Sequence, residues 1–142
     1  VYNHEKHRQK SGVDWIVHEK QTDVERLFPL FHKDDVVLID CVTTLVSNEL
    51  FVIENGVELW RERAFFEAVR AKLETLFFAI AHAPWEAIVV SNELLFEATS
   101  NDVDTERYKW LLATIHAHIV RHAKEAIVVE CGIPRWWKGG KR

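Results

Sequence analysis

Apolar residues along the chain fall into three short unbroken runs separated by longer stretches with helical spacing. Residues 36–42 read Val-Val-Leu-Ile-Asp-Cys-Val, and the four leading aliphatics leave no polar face. That is the pattern of a strand covered by helices on both sides of a parallel sheet. Residues 87–92 (Ala-Ile-Val-Val-Ser-Asn) and 126–130 (Ala-Ile-Val-Val-Glu) are of the same make. The two are alike because buried parallel strands favour such residues, not because the chain repeats itself. Between the runs, residues 43–52 are apolar with Ser47-Asn48-Glu49 interrupting, which predicts a helix over the sheet. Residues 58–82 carry Leu59, Ala64 and Phe65, Val69, Leu73, Leu76 and Phe77, and Ile80 at spacings of three and four, predicting a long helix that Ala83-Pro84 ends. A polar loop at 99–104 precedes a further predicted helix at 105–123. Strand, helix, strand, helix, strand in this order implies a parallel sheet with right-handed crossovers.

The flanks are less regular. Residues 1–8 are polar without Gly or Pro and suit the end of a helix, which Lys10-Ser11-Gly12 breaks. Residues 15–19 (Trp-Ile-Val-His-Glu) predict a short strand or extended segment with Glu19 at its end. Thr22 followed by Glu25 has capping-box spacing, so residues 23–31 are expected to be helical despite Pro29. Asn55-Gly56 is the strongest turn signal in the chain.

With 142 residues, 48% of them hydrophobic and 28% charged, the composition is that of an ordinary soluble globular chain, and with the strand–helix order it is expected to form one α/β domain spanning residues 1–142. A net charge of −4 argues against a nucleic-acid surface. The basic tail 135–142, with Trp136 and Trp137, reads as a solvated end or a subunit contact. Cys41 and Cys131 sit in or just after predicted strands and read as reduced core residues, not as a disulfide or metal site. No run spans a bilayer and no signal pattern opens the chain, so a cytoplasmic protein is expected. The first residue is Val and the chain has no methionine, which suggests the remainder of a longer protein.

Candidate chemistry gathers at strand ends. Asp40 closes the first run, followed by Thr43 and Thr44. Beyond the carboxyl end of a parallel strand an acid can help hold Mg²⁺ beside phosphates, or it can cap the next helix. Glu93 and Glu130 end the other two strands, so three acids either share one crevice around a cation or pair separately. Among eight histidines, His118 and His122 would share a helix face, but no third zinc ligand is placed by spacing. His116, two residues from His118, faces elsewhere, and His32 and His82 look like helix-end residues. His4 and His7 lie among Lys6 and Arg8, either as a surface helix end or as nucleophilic imidazoles beside phosphate-neutralising cations. No Gly-x-x-x-x-Gly-Lys-Ser/Thr loop occurs in these residues.

Five motifs in order carry a resemblance: Val1-x-x-His4-x-x-x-Arg8, Trp15-x-x-x-Glu19, the segment from Val37 through Asp40 and Thr43 to Asn48, Val89-Val-Ser-Asn92-Glu93, and Gly132-Ile-Pro134. The chain resembles the bifunctional adenosylcobinamide kinase / adenosylcobinamide-phosphate guanylyltransferase family of cobalamin assembly, entered after its P-loop and second strand. The resemblance implies a three-layer, P-loop NTPase-like (RecA-like), mostly parallel α/β fold lacking its first βα unit. It also implies phosphorylation of adenosylcobinamide, with ATP and GTP as substrates, then transfer of GMP from GTP through a guanylylated histidine. By motif position that histidine is His4; His7 takes its place if the segment is aligned backwards from Trp15. The resemblance puts Glu5, Lys6, His7, Arg8, Glu19 and Asp40 around the nucleotide, Mg²⁺ at Asp40, and Asn92 and Glu93 toward the second substrate. It implies a homotrimer, with Trp136 and Trp137 as candidate contacts. After Glu93 the family continues with a glycine-rich turn and a proline, where this chain has Leu94 to Ser100, and its arginine-rich helix is echoed only by Arg107.

Overall fold

The computed structural model describes residues 12–93 and 102–140. Strand β1 (Val36–Asp40) leads into helix α1 (Val42–Leu50). A hairpin of β2 (Ile53–Glu54) and β3 (Val57–Glu58) follows, then a 3-10 turn at Leu59–Arg61 and helix α2 (Arg63–Ala81). Strand β4 (Glu86–Val90), helix α3 (Val103–His122), strand β5 (Ala126–Glu130) and strand β6 (Ile133–Lys138) complete the order.

β1 and β4 pair in parallel with register Val36↔Glu86 through Asp40↔Val90. Their side chains alternate. Val37, Ile39, Ala87 and Val89 pack against the core, whereas Val36 (57% exposed), Leu38 (41%), Ile88 (48%) and Val90 (39%) form an open face. The expectation of strands covered on both faces is therefore not met among the described residues, where helices cover one face only. An all-aliphatic run does not reveal which of its faces is covered.

The core lies between that inner face and the three helices. Val42, Val46 and Leu50 of α1, Leu73 and Leu76 of α2, and Leu111, Leu112 and Ile115 of α3 are buried together with Trp85. Phe28 and Phe31 meet Trp85 edge-on, each with ring centroids 5.4 Å away. These contacts carry the segment before β1 onto the core.

Four further expectations are corrected. Strand β5 forms where it was expected, but it pairs antiparallel with β6 and is not hydrogen-bonded to the β1–β4 pair. Cys131 and Gly132, at φ 50° and 78°, turn the chain back in two residues, so much of the basic tail becomes a strand. Cys131 is exposed at that turn instead of in a core, and Cys41 is half-buried. The long helix predicted from residue 58 begins at Arg63, because Asn55 (φ 52°) and Gly56 (φ 79°) make a tight turn whose flanks pair, Glu54↔Val57 and Ile53↔Glu58. Residues 15–19 form no strand, which removes that half of the expectation and leaves the extended segment standing, and 12–20 are exposed.

The capping box at Thr22 also fails. Residues Val24–Leu30 are a 3-10 helix whose N-cap is Asp23, in left-handed conformation and with no side-chain cap. The Asp23 side chain instead accepts from Lys72 of α2, and its amide donates to Glu49 of α1 at 2.8 Å. An ion pair reaching across the fold outweighs a local cap here.

Candidate active site

Both parallel strands deliver polar residues to one edge. β1 ends at Asp40, exposed, directly across the ladder from Val90, and Ser91, Asn92 and Glu93 follow where β4 runs out. The amino end of α1 opens at the same edge, since Cys41 is its N-cap and Val42, Thr43 and Thr44 form its first turn. First-turn amides lack partners within the helix and favour negative charge.

Short contacts tie this edge together. The Cys41 thiol lies 2.9 Å from the Thr43 hydroxyl and 3.3 Å from that of Thr44. Asn92 Nδ2 donates to Thr43 Oγ1 at 3.5 Å, and the Tyr108 hydroxyl of α3 donates to the Thr43 carbonyl at 3.0 Å. Ser91 Oγ stands 2.6 Å from His116 Nε2, joining the end of β4 to the middle of α3.

The electrostatics follow from those contacts. Burial pushes the Cys41 thiol up, but the Thr43 and Thr44 hydroxyls and the Thr44 amide outweigh it, so the thiol ionises below its ordinary value. Burial raises Tyr108, with the nearby Cys41 adding to the effect. Burial lowers His116, against a smaller upward pull from Glu93, so its imidazole stays neutral at neutral pH.

Of the residues expected at the site, Asp40, Asn92 and Glu93 share this edge. Glu19 lies exposed in the segment that forms no element. His4, Glu5, Lys6, His7 and Arg8 lie outside the described residues, as does the departing stretch 94–100. Glu130 ends a strand of the separate hairpin, where Arg135 pairs with it at 3.0 Å, so it does not join the other two acids through a common sheet. Arg107 places its guanidinium 4.7 Å over the Phe66 ring and donates to the Arg61 carbonyl. The His118 and His122 rings lie with centroids 4.5 Å apart, tilted by 42°, and His122 Nδ1 is 2.9 Å from the His118 carbonyl.

Sequence reasoning missed Ser91, Cys41, Tyr108 and His116 as members of this network. For Ser91 the available signal was its place beside Asn92 past a strand end; for His116 it was only that the ring faces away from His118.

Asp40 presents a hard-oxygen carboxylate at this edge, next to the first turn of α1 that carries Thr43 and Thr44. A carboxylate so placed suits Mg²⁺, which binds through one or two carboxylates and completes its shell with substrate phosphates and water. Among the described residues no three His, Cys, Asp or Glu side chains gather as a metal cage, and an ion shared with phosphates needs none.

Comparison with known proteins finds that residues 2–136 match the model of a family described as cobinamide kinase / cobinamide phosphate guanyltransferase. The chain is 25% identical over 132 residues to the bifunctional adenosylcobalamin biosynthesis protein CobU of Escherichia coli (strain K12), covering 91% of this chain and 73% of that protein. It is 26% identical over 102 residues to the protein of the same name from Salmonella typhimurium (strain LT2), covering 70% of this chain and 56% of that protein.

Proposed function

The chain belongs to the cobinamide kinase / cobinamide phosphate guanyltransferase family, and from that membership we propose that it serves cobalamin biosynthesis by phosphorylating adenosylcobinamide and then transferring GMP from GTP to the phosphate. The observation that carries this reading is the extent of the family match. Residues 2–136 take in both the His4 and His7 segment and the edge built by Asp40, Thr43, Asn92 and Glu93.

In the transferase step His4, or His7 in the alternative alignment, attacks the α-phosphorus of GTP as a neutral imidazole, and pyrophosphate leaves. The covalent adduct divides one transfer into two easier ones. Lys6 and Arg8 offset phosphate charge, with Glu5 and Glu19 beside the nucleotide. The first turn of α1 offers amides to phosphate oxygens. Asp40, with Thr43 and Thr44 beside it, would hold Mg²⁺, which supplies charge neutralisation at the departing phosphates. Asn92 and Glu93 face the cobinamide. The protein is proposed to act as a single P-loop NTPase-like α/β domain within a cytoplasmic homotrimer; no helix among the described residues is long and apolar enough to cross a membrane.

The direct test supplies the full-length protein with adenosylcobinamide, ATP or GTP, and Mg²⁺, and follows products by chromatography and mass. Cobinamide phosphate followed by GDP-cobinamide is expected. A protein that binds GTP and yields neither product would overturn the reading in favour of a non-catalytic binding member of the family.

A further inference from the structure

The 2.6 Å contact between Ser91 Oγ and His116 Nε2 is unlike the other hydrogen bonds of the helix layer. It joins residues 25 apart in sequence and couples a hydroxyl to a nitrogen base. It also stands at the carboxyl edge of the parallel strands, one residue beyond the Val90 that faces Asp40. Burial keeps His116 neutral, so its Nε2 can accept from the serine whenever Nδ1 carries the ring proton. Asn92, beside Ser91, reaches the Thr43 hydroxyl and so ties the serine's backbone to the amino end of α1. A base-linked hydroxyl one residue past the strand end that pairs with Asp40 is equipped to take a proton from an attacking alcohol.

We infer that Ser91 and His116 form a proton relay for the acceptor alcohol in the phosphorylation step, a role that rests on the function proposed above. The acceptor oxygen attacks the γ-phosphorus of the nucleoside triphosphate, forming the new O–P bond. The bond from that phosphorus to the β,γ-bridging oxygen breaks, and the nucleoside diphosphate leaves with the electron pair. The acceptor's proton passes to Ser91 Oγ as the serine's own proton passes to His116 Nε2. The imidazolium then returns its proton to solvent. Ser91 is the residue that touches substrate, and His116 acts through it as a positioning residue and proton store. The relay takes no part in guanylylation of the protein, because that step has no alcohol to deprotonate.

The test measures two reactions on the same full-length preparations: phosphorylation of adenosylcobinamide, and labelling of the protein by α-labelled GTP. Ser91→Ala and His116→Asn should each lower kcat for phosphorylation about 100-fold or more with little change in KM. The double variant should be no worse than either single variant, because the two act as one unit. Labelling by GTP should persist in all three, and Ser91→Thr, which keeps a hydroxyl, should recover most of the activity. The unsubstituted enzyme should lose kcat on the acid side below the ordinary imidazole value of 6.5, since burial outweighs the upward pull of Glu93. His116→Asn should remove that limb.

Phosphorylation within about 3-fold of normal in Ser91→Ala or His116→Asn, alongside normal labelling, would overturn the relay and leave the proposed function standing. Should a substituted chain fail to fold, the unsubstituted enzyme decides: a kcat profile flat from about pH 5 to 8 overturns the relay. Absence of both reactions in the unsubstituted protein overturns the proposed function, and the relay with it.

Discussion

Lys72 of α2 sets its ammonium 2.8 and 2.7 Å from the two carboxylate oxygens of Glu49 on α1. Glu49 is buried among the core aliphatics of its helix, where Lys72 and the Asp23 amide are its polar partners. Asp23 completes the cluster, which pins the segment ahead of β1 to both helices. Replacing Lys72 with Met leaves the buried Glu49 carboxylate without its counter-charge, on the Asp23 amide alone. The expected loss is roughly 2–3 kcal/mol, below the ~3–5 kcal/mol of a fully buried pair because Lys72 keeps about a third of its side chain in water. Urea denaturation of the two proteins measures it, and a difference under about 0.5 kcal/mol would contradict the assignment.

The same cluster shapes stability at low pH. A hydrogen bond from Lys72, then its charge, holds Asp23 below the ordinary carboxylate value of 3.8. Hydrogen bonds from the Thr105 hydroxyl and amide hold Asp102 below it as well. A carboxylate whose folded pKa is depressed contributes stability that is fully present above its unfolded pKa and is lost as pH falls through the folded one. Unfolding free energy should therefore decline from about pH 4 downward, and Asp23→Asn should flatten part of that slope. Denaturation curves between pH 2 and 6 give the comparison; identical slopes would count against it.

Cys41 offers a chemical probe of the edge itself. Its thiol should be alkylated by iodoacetamide with a half-maximal pH below the ordinary 9.0, since the Thr43 and Thr44 contacts outweigh burial. Thr43→Val removes the 2.9 Å contact while conserving shape, and should move that midpoint upward. Peptide-resolved mass spectrometry separates Cys41 from Cys131. An unmoved midpoint would show that the hydroxyl does not govern the thiol.

The elements written by composition and local spacing were legible. The positions of β1, β4 and β5 follow from their aliphatic runs, and α1 and α3 fall within two residues of their expected ends. Partnership was not legible, because it is decided elsewhere in the chain. Glu130 looks like another strand-end acid until Cys131 and Gly132 fold the tail back against β5. Thr22 and Glu25 have the spacing of a cap, but Asp23 gains more from Lys72 on another helix. Asp40 was placed at the strand end from its position after four aliphatics, and β1 does end there. Ser91 and His116 were not, since nothing in 25 residues of sequence shows that α3 turns that ring toward the end of β4.

In the proposed transferase step an imidazole near the amino end carries GMP. Incubation with GTP labelled at the α-phosphate, followed by peptide mapping, tests it in the unsubstituted protein and in His4→Ala and His7→Ala. A stoichiometric, acid-labile adduct that one of the two substitutions abolishes is expected. No adduct in the unsubstituted protein, or an adduct that persists when both histidines are replaced, would contradict it.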